Sequence, residues 1–288
     1  MKSRSIDLGG PVHFADFGGE GPPIVLVHGL GGSHVNWMAV GATLAKRGRV
    51  LAPDLLGFGR TPLAGRRPGV RTNVDLLARF LREEVKEPAI LVGNSMGGLV
   101  SMLTAAMHPD LIARLVLVGA ALPVPFGTRI DRAVAGLFAI YAVPLLGELV
   151  LGYRLRKVGP EKVLRDTLRL CGISPSKVPP EIMEAALALA RERVSFPWAN
   201  QAFLGSARSM LRENAQPARL HAQIRAVRAK TLLVHGTADR LVNVAVSRTV
   251  LGLRPDWTLT ELEGVGHMPQ LEVPERWTAA ITSWLDGA

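Results

Sequence analysis

The chain has 288 residues, 48% of them hydrophobic and 20% charged, which supports one large domain with a buried core and excludes a disordered polymer. Its formal net charge is +10, with basic runs at 60–71, 154–169 and 219–230, but neither interleaved aromatics nor a nucleic-acid-binding motif accompanies them. They read as solvated faces, and no nucleic-acid partner is expected. The single cysteine, Cys171, excludes an intramolecular disulfide and fits a reducing, cytoplasmic location. Met1–Asp7 carries basic residues with no apolar stretch behind them, so no signal peptide is expected.

Along the chain, Val12–Phe17 alternates apolar and polar residues before a glycine turn, the pattern of a half-exposed antiparallel strand. Ile24–Val27 is a continuous apolar run ending in His28-Gly29. Helical spacing follows at 37–47. Val50-Leu51-Ala52 leads to Asp54 and a glycine-rich loop, and 74–85 reads as a helix. Ala89–Val92, Leu115–Val118 and Leu232–Val234 are further buried runs, whereas Thr258–Leu262 alternates and belongs near a sheet edge. A last helix spans 274–285, opened by proline. Short, wholly apolar strands alternating with helices predict an α/β fold: a mostly parallel central sheet flanked by helices, with reactive groups at the carboxyl ends of the strands.

That alternation stops between Leu122 and Phe196. The segments 129–141, 145–156, 160–170 and 180–194 carry helical periodicity with proline-rich joints. We expect a helical cap inserted after the sixth strand, and hence a core of 1–121 and 196–288 around a cap of 122–195. The stretch 133–152 is apolar except Glu148, long enough to consider as a membrane span. Pro144 divides it, and the surrounding pattern is that of a globular α/β domain, so a cap helix pair walling a pocket or touching a membrane surface is the expected reading.

Gly93-Asn94-Ser95-Met96-Gly97 sits between a buried strand and a helix. A Gly-x-Ser-x-Gly there makes a turn so tight that neighbouring side chains would collide, and the serine is exposed above the sheet. A serine hydroxyl needs a base in reach, and the base needs an acid to orient it. Asp239 follows a buried strand, and His267 lies in a glycine-flanked loop before the last helix. Ser95, Asp239 and His267 are therefore the expected catalytic residues. The backbone N–H groups of Met96 and of Leu30, in the flexible His28-Gly29-Leu30-Gly31-Gly32 loop, are the expected oxyanion donors.

These stretches, with Asp54-Leu55-Leu56-Gly57-Phe58-Gly59-Arg60-Thr61, resemble the capped serine hydrolases of the α/β-hydrolase fold over most of residues 24–286. The resemblance implies Ser95 as nucleophile, His267 as base, Asp239 as its orienter, and the N–H groups of Leu30 and Met96 as oxyanion hole. Ser95 separates the chain from relatives with an aspartate nucleophile. Asn-Ser-Met-Gly-Gly is similar to the carbon–carbon bond hydrolases of ring-fission products, but the Gly-Pro-Gly run and the tryptophan after the histidine are absent here, where Met268 stands.

The expectation is a carboxylesterase acting through an acyl-enzyme on small to medium, mainly apolar acyl groups, with a small-molecule ester as partner and no cofactor. The alternatives are a carbon–carbon bond hydrolase, a membrane-surface lipase and a small-ligand binding protein. Acyl transfer to an alcohol or peroxide would use the same residues. Trp37, Phe126, Phe138, Trp198 and Met268 are candidate pocket residues. His28 is expected to shape its loop and Asp54 to fix its own by hydrogen bonds. The remaining histidines show no ligand-like spacing, so no metal is expected. Cys171 reads as packing.

Overall fold

The computed structural model describes residues 1–287. In chain order the elements are β1 (Lys2–Asp7), β2 (Pro11–Gly18), β3 (Pro23–Val27), α1 (Met38–Leu44), β4 (Arg49–Pro53), α2 (Val70–Phe80), β5 (Ala89–Asn94), α3 (Met96–Met107) and β6 (Ile112–Val118). Six helices follow: α4 (Arg132–Ala142), α5 (Leu146–Tyr153), α6 (Pro160–Leu170), α7 (Pro180–Val194), α8 (Ala199–Asn214) and α9 (Pro217–Ala226). The chain closes with β7 (Lys230–Gly236), α10 (Ala245–Leu253), β8 (Thr258–Leu262), α11 (Pro269–Glu272) and α12 (Pro274–Gly287).

The strands form one sheet in the order β1-β2-β4-β3-β5-β6-β7-β8. The β1–β2 and β2–β4 pairs are antiparallel and the rest are parallel. Side chains of a strand alternate between its faces, and here both faces are apolar. Val25, Val27, Leu91, Leu115, Leu117 and Leu233 enter the core on one side, with residues of α2, α3, α9 and α10. Ile24, Leu26, Ile90, Val92, Val116 and Val234 enter the other, under Trp37, α1 and α12. Two-sided burial is why these strands read as unbroken apolar runs rather than alternating ones.

The alternating strand β8 lies at one edge of the sheet. At the other edge lies β1, a strand the sequence does not announce: its residues Lys-Ser-Arg-Ser-Ile-Asp are almost all exposed, so no hydrophobic period marks it. The pairing with β2, from Lys2 opposite Asp16 to Asp7 opposite Pro11, holds it in place.

The stretch 133–152 forms α4 and α5, which with the turn following α5 are bent by 118° at the break containing Pro144. No single helix among the described residues is long and apolar enough to cross a membrane. Residues of α4, α5, α6, α7 and α8 wall the space above Ser95, at the carboxyl end of β5, whereas α9 packs on the core beside α3. Arg208 of α8 ties α5 down by bonding Glu148 at 2.7 and 2.9 Å, and Arg60 beyond β4 bonds Glu192 of α7 at 2.9 and 3.1 Å.

Candidate active site

Strand β5 ends at Asn94 and α3 begins at Met96, so the reversal between them falls on Ser95. Its φ of 57° and ψ of −120° lie where L-residues rarely settle. The neighbours enforce this conformation. A Cβ on Gly93 would stand 2.5 Å from the Gly97 carbonyl oxygen, and one on Gly97 would strike the carbonyl oxygens of Val27 and His28. Ser95 donates its amide to the Val118 carbonyl and accepts the Ala121 amide, both at 3.0 Å, which locks the turn against the end of β6.

His267 reaches the same region from the loop after β8. Its amide donates to the Cys171 carbonyl at 2.8 Å. Its own carbonyl accepts from Asn94 Nδ2 at 3.1 Å, and that amide nitrogen also donates to Val118 O at 3.0 Å. The residue before the serine therefore fastens the histidine loop to the turn. On the ring, Nδ1 lies 2.7 Å from Asp239 Oδ2. The other carboxylate oxygen, Oδ1, accepts the amides of Leu241 and Val242 at 2.9 Å each.

His235 backs the same carboxylate, with Nε2 3.3 Å from Asp239 Oδ2 and 2.8 Å from Val242 O, while Nδ1 accepts the Ser247 hydroxyl at 2.7 Å. Burial alone would raise the Asp239 carboxyl, but the attraction of a protonated His267 and the hydrogen bonds from His235 and His267 hold it well below the usual range. A carboxylate that only accepts fixes the neutral tautomer of His267 with its proton on Nδ1, leaving the Nε2 lone pair free to accept a proton.

The loop after β3 packs directly on Ser95: a Cβ built at Gly29 would sit 3.0 Å from Ser95 Cβ. Leu30 follows it and lines the cavity. Met96 buries its side chain in the core while its N–H belongs to the first turn of α3, where amides have no partner within the helix. His28 braces this loop, with Nδ1 donating to Gly29 O at 2.7 Å and Nε2 accepting the Leu55 amide at 2.9 Å. Burial lowers its pKa to about 4, so it stays neutral near pH 7 with both nitrogens occupied.

Ser95 and His267 open onto one cavity of about 320 Å³, walled by Leu137, Phe138 and Tyr141 of α4, Cys171 after α6, Phe203 of α8 and Met268. Phe138 and Met268 are thus placed there, but three other expected pocket residues are elsewhere. Trp37 is fully buried in the core, its ring 6.0 Å from that of Trp277. Phe126 is fully exposed, in the connection between β6 and α4. Trp198 stacks on Phe196 at 4.9 Å and packs against Leu56, Leu63 and Ala202. Each is apolar for a reason other than lining the cavity, and aromatic character alone does not distinguish these environments. Burial pushes the Cys171 thiol up to about 12, which keeps it an unreactive thiol.

Sequence spacing missed the roles of Asn94, His235, Phe203 and Arg193. Arg193 of α7 reaches the cavity, donates to Gly57 O at 3.3 Å, lies 5.5 Å over the Phe58 ring, and has no carboxylate partner among the described residues. The four-residue step from His235 to Asp239 was a usable signal, because both flank the end of β7.

Behind the loop of residues 28–32 lies a second carboxylate cluster. Asp54 Oδ2 accepts from His13 Nδ1 at 2.7 Å, His34 Nδ1 at 3.0 Å and the Arg60 amide at 3.0 Å, and Oδ1 accepts the His34 amide at 2.7 Å. Burial would raise this carboxyl, but the hydrogen bonds from His13 and His34 hold it far below the usual range. The structure thus gathers His13, His34 and Asp54, a grouping that linear spacing does not reveal. Their facing atoms stand at hydrogen-bond separations, with the ring protons between them.

Residues 24–281 match the family model described as "Alpha/beta hydrolase family". The pimeloyl-[acyl-carrier protein] methyl ester esterase of Aromatoleum aromaticum is 30% identical over 260 residues, covering 88% of this chain and 94% of that one. The 2-hydroxy-6-oxo-2,4-heptadienoate hydrolase of Pseudomonas putida is 31% identical over 262 residues, covering 88% and 85%. Among solved structures, Cfl2 of Burkholderia cenocepacia superposes with a TM-score of 0.80 over 98% of this chain and 95% of that one, at 24% identity.

Proposed function

Because this chain belongs to the alpha/beta hydrolase family, we propose that it cleaves carboxylic esters through an acyl-enzyme. One observation carries the reading: a strained serine and an aspartate-oriented histidine open onto the same largely apolar cavity. His267 Nε2 takes the Ser95 proton as Oγ attacks the ester carbonyl. The oxyanion that forms is held by the amides of Leu30 and Met96. His267 then returns the proton to the leaving alcohol, and water repeats the cycle to release the acid. Asp239 keeps the imidazole in the required tautomer and stabilises its cationic form.

Leu137, Phe138, Leu164, Leu168 and Phe203 favour an apolar acyl group of modest length. The test is a chain-length series of p-nitrophenyl esters with the wild type and Ser95→Ala, alongside fluorophosphonate labelling. Saturable hydrolysis, labelling at Ser95 and loss of several orders of magnitude in the variant are expected. A folded protein with no ester turnover and no adduct would refute the reading. A second reading, carbon–carbon bond hydrolysis, is favoured by Arg193, whose guanidinium would pair with an acidic substrate. Turnover of a ring-fission dienoate ahead of all the esters would select it.

A further inference from the structure

The corner formed by α4 and α5 is built unlike the rest of the surface. Of the eleven large hydrophobic side chains that stand exposed among the described residues, eight fall between Val124 and Tyr153. Three of them, Leu146, Leu149 and Tyr153, recur three or four residues apart on one face of α5, and a fourth, Leu145, is the residue that caps its N-terminus. Leu145, at the tip of the bend, is 77% exposed and has a φ of +67°, a conformation that glycine adopts without strain and leucine does not. Packing does not explain a leucine there.

Charge around the corner has one sign. The stretch 129–157 holds five basic residues, Arg129, Arg132, Arg154, Arg156 and Lys157, and only two acids. Both acids are engaged by arginines from other elements: Asp131 by Arg240 at 2.8 Å and Glu148 by Arg208 at 2.7 Å. The apolar face of α5 thus runs into Arg156 and Lys157, for which no acidic partner stands among the described residues, on a protein of net charge +10. The inner sides of these two helices carry Leu137, Phe138, Tyr141 and Leu151, which wall the cavity that contains Ser95.

We infer that the α4–α5 corner docks on anionic phospholipid surfaces, with Leu145, Leu149 and Tyr153 entering the interface and the basic residues resting on the headgroups. An apolar helix face bordered by basic side chains is the composition that binds such interfaces, and the aromatic ring of Tyr153 suits the headgroup level. Docking there would bring the wall of the cavity against the lipid and favour substrates that partition into it. The binding claim does not depend on the ester-hydrolase reading.

The test is flotation with vesicles of phosphatidylcholine alone and of phosphatidylcholine with phosphatidylglycerol. The proteins compared are wild type, Leu145→Asp/Leu149→Asp and Arg156→Glu/Lys157→Glu, with hydrolysis of a soluble ester and sedimentation velocity as parallel readouts. The wild type is expected to bind the anionic vesicles at least tenfold more tightly, and to release them as salt rises. Both double variants are expected to lose at least tenfold of that binding while soluble-ester turnover stays unchanged. Equal binding by wild type and the leucine variant would overturn the inference. So would absence of vesicle binding, or a wild-type dimer that the leucine substitutions make monomeric, which would assign the face to a second copy of the chain.

Discussion

Replacing Asn94 by alanine tests whether the turn at Ser95 and the proposed base, His267, are one mechanical unit. Asn94 is buried, and its Nδ2 makes two bonds, to Val118 O at 3.0 Å and His267 O at 3.1 Å. The Val118 carbonyl keeps a second donor in the Ser95 amide, so the loss falls mainly on His267. Leaving one buried carbonyl without its partner costs about 1–3 kcal/mol. For a chain of this size that lowers Tm by roughly 2–5 °C. The catalytic effect should be larger than this suggests, because the released group is the backbone of the proposed base itself. A displacement on the order of 1 Å in a reacting group costs on the order of 10²-fold in rate. Asn94→Ala should therefore lower kcat by roughly 30–100-fold with little change in KM, and slow fluorophosphonate labelling in parallel. Asn94→His, which keeps one donor, should recover part of both. The assay is steady-state ester hydrolysis beside thermal unfolding followed by circular dichroism. Wild-type kcat in a destabilised Asn94→Ala protein would show that the bond holds structure without positioning the base.

Two further substitutions probe the same architecture. A Cβ at residue 119 would lie 3.1 Å from Asp239 Oδ2 and 3.3 Å from His267 Nδ1, on a backbone of φ +47°. Gly119→Ala should therefore press on the pair and lower kcat about tenfold at constant KM, and unchanged kinetics would contradict the placement. His28 takes up a proton at a pKa of about 4 when folded, against about 6.5 when unfolded. Above pH 6.5 neither state is charged. As pH falls from 6.5 towards 4 the unfolded chain gains a proton that the native one refuses, so stability declines across that window and levels off below it. At pH 5 the loss is about 2 kcal/mol. Urea unfolding at pH 7.5 and pH 5 should show this loss in wild type and a smaller one in His28→Asn, whereas parallel changes in the two proteins would exclude His28 as its source.

The legible parts of the molecule are those where one physical constraint acts alone. Two-sided burial makes β3, β5, β6 and β7 continuous apolar runs, and the turn at Ser95 admits only glycine at 93 and 97. The illegible parts depend on partners distant in the chain. Strand β1 is held by pairing rather than by its own pattern, and Trp37 became core only when Trp277, 240 residues later, packed on it. Asn94 illustrates the same limit at the site. Its identity was visible in the Asn-Ser-Met-Gly-Gly run, but its function lies in a bond to a carbonyl 173 residues away. Likewise, apolar side chains on a cap look alike in sequence whether they face the cavity, as Phe138 does, or solvent, as Phe126 does.

The cluster at Asp54 shows which of these observations makes a site. Ser3 Oγ stands 2.7 Å from His13 Nε2, and His13 Nδ1 stands 2.7 Å from Asp54 Oδ2. The serine, histidine and carboxylate are linked in the same order as in the proposed triad, and the histidine–carboxylate distance equals that between His267 and Asp239. Yet Ser3 lies on the regular edge strand β1, exposed, with no strained turn and no helix N-terminus behind it, and it does not line the cavity. Nothing there is arranged to hold an oxyanion or an acyl group, and Asp54 spends its remaining capacity on His34 and the Arg60 amide. Hydrogen-bonded alignment thus supplies a base but leaves the transition state unstabilised, and it is stabilisation of the developing oxyanion that lowers the barrier most. Ser3→Ala should keep ester turnover within twofold of wild type, and mass spectrometry of the fluorophosphonate-treated protein should find the adduct on Ser95 with none on Ser3. An adduct on Ser3 would mean that alignment of three side chains suffices for reactivity, and would remove the reason for assigning the chemistry to the turn between β5 and α3.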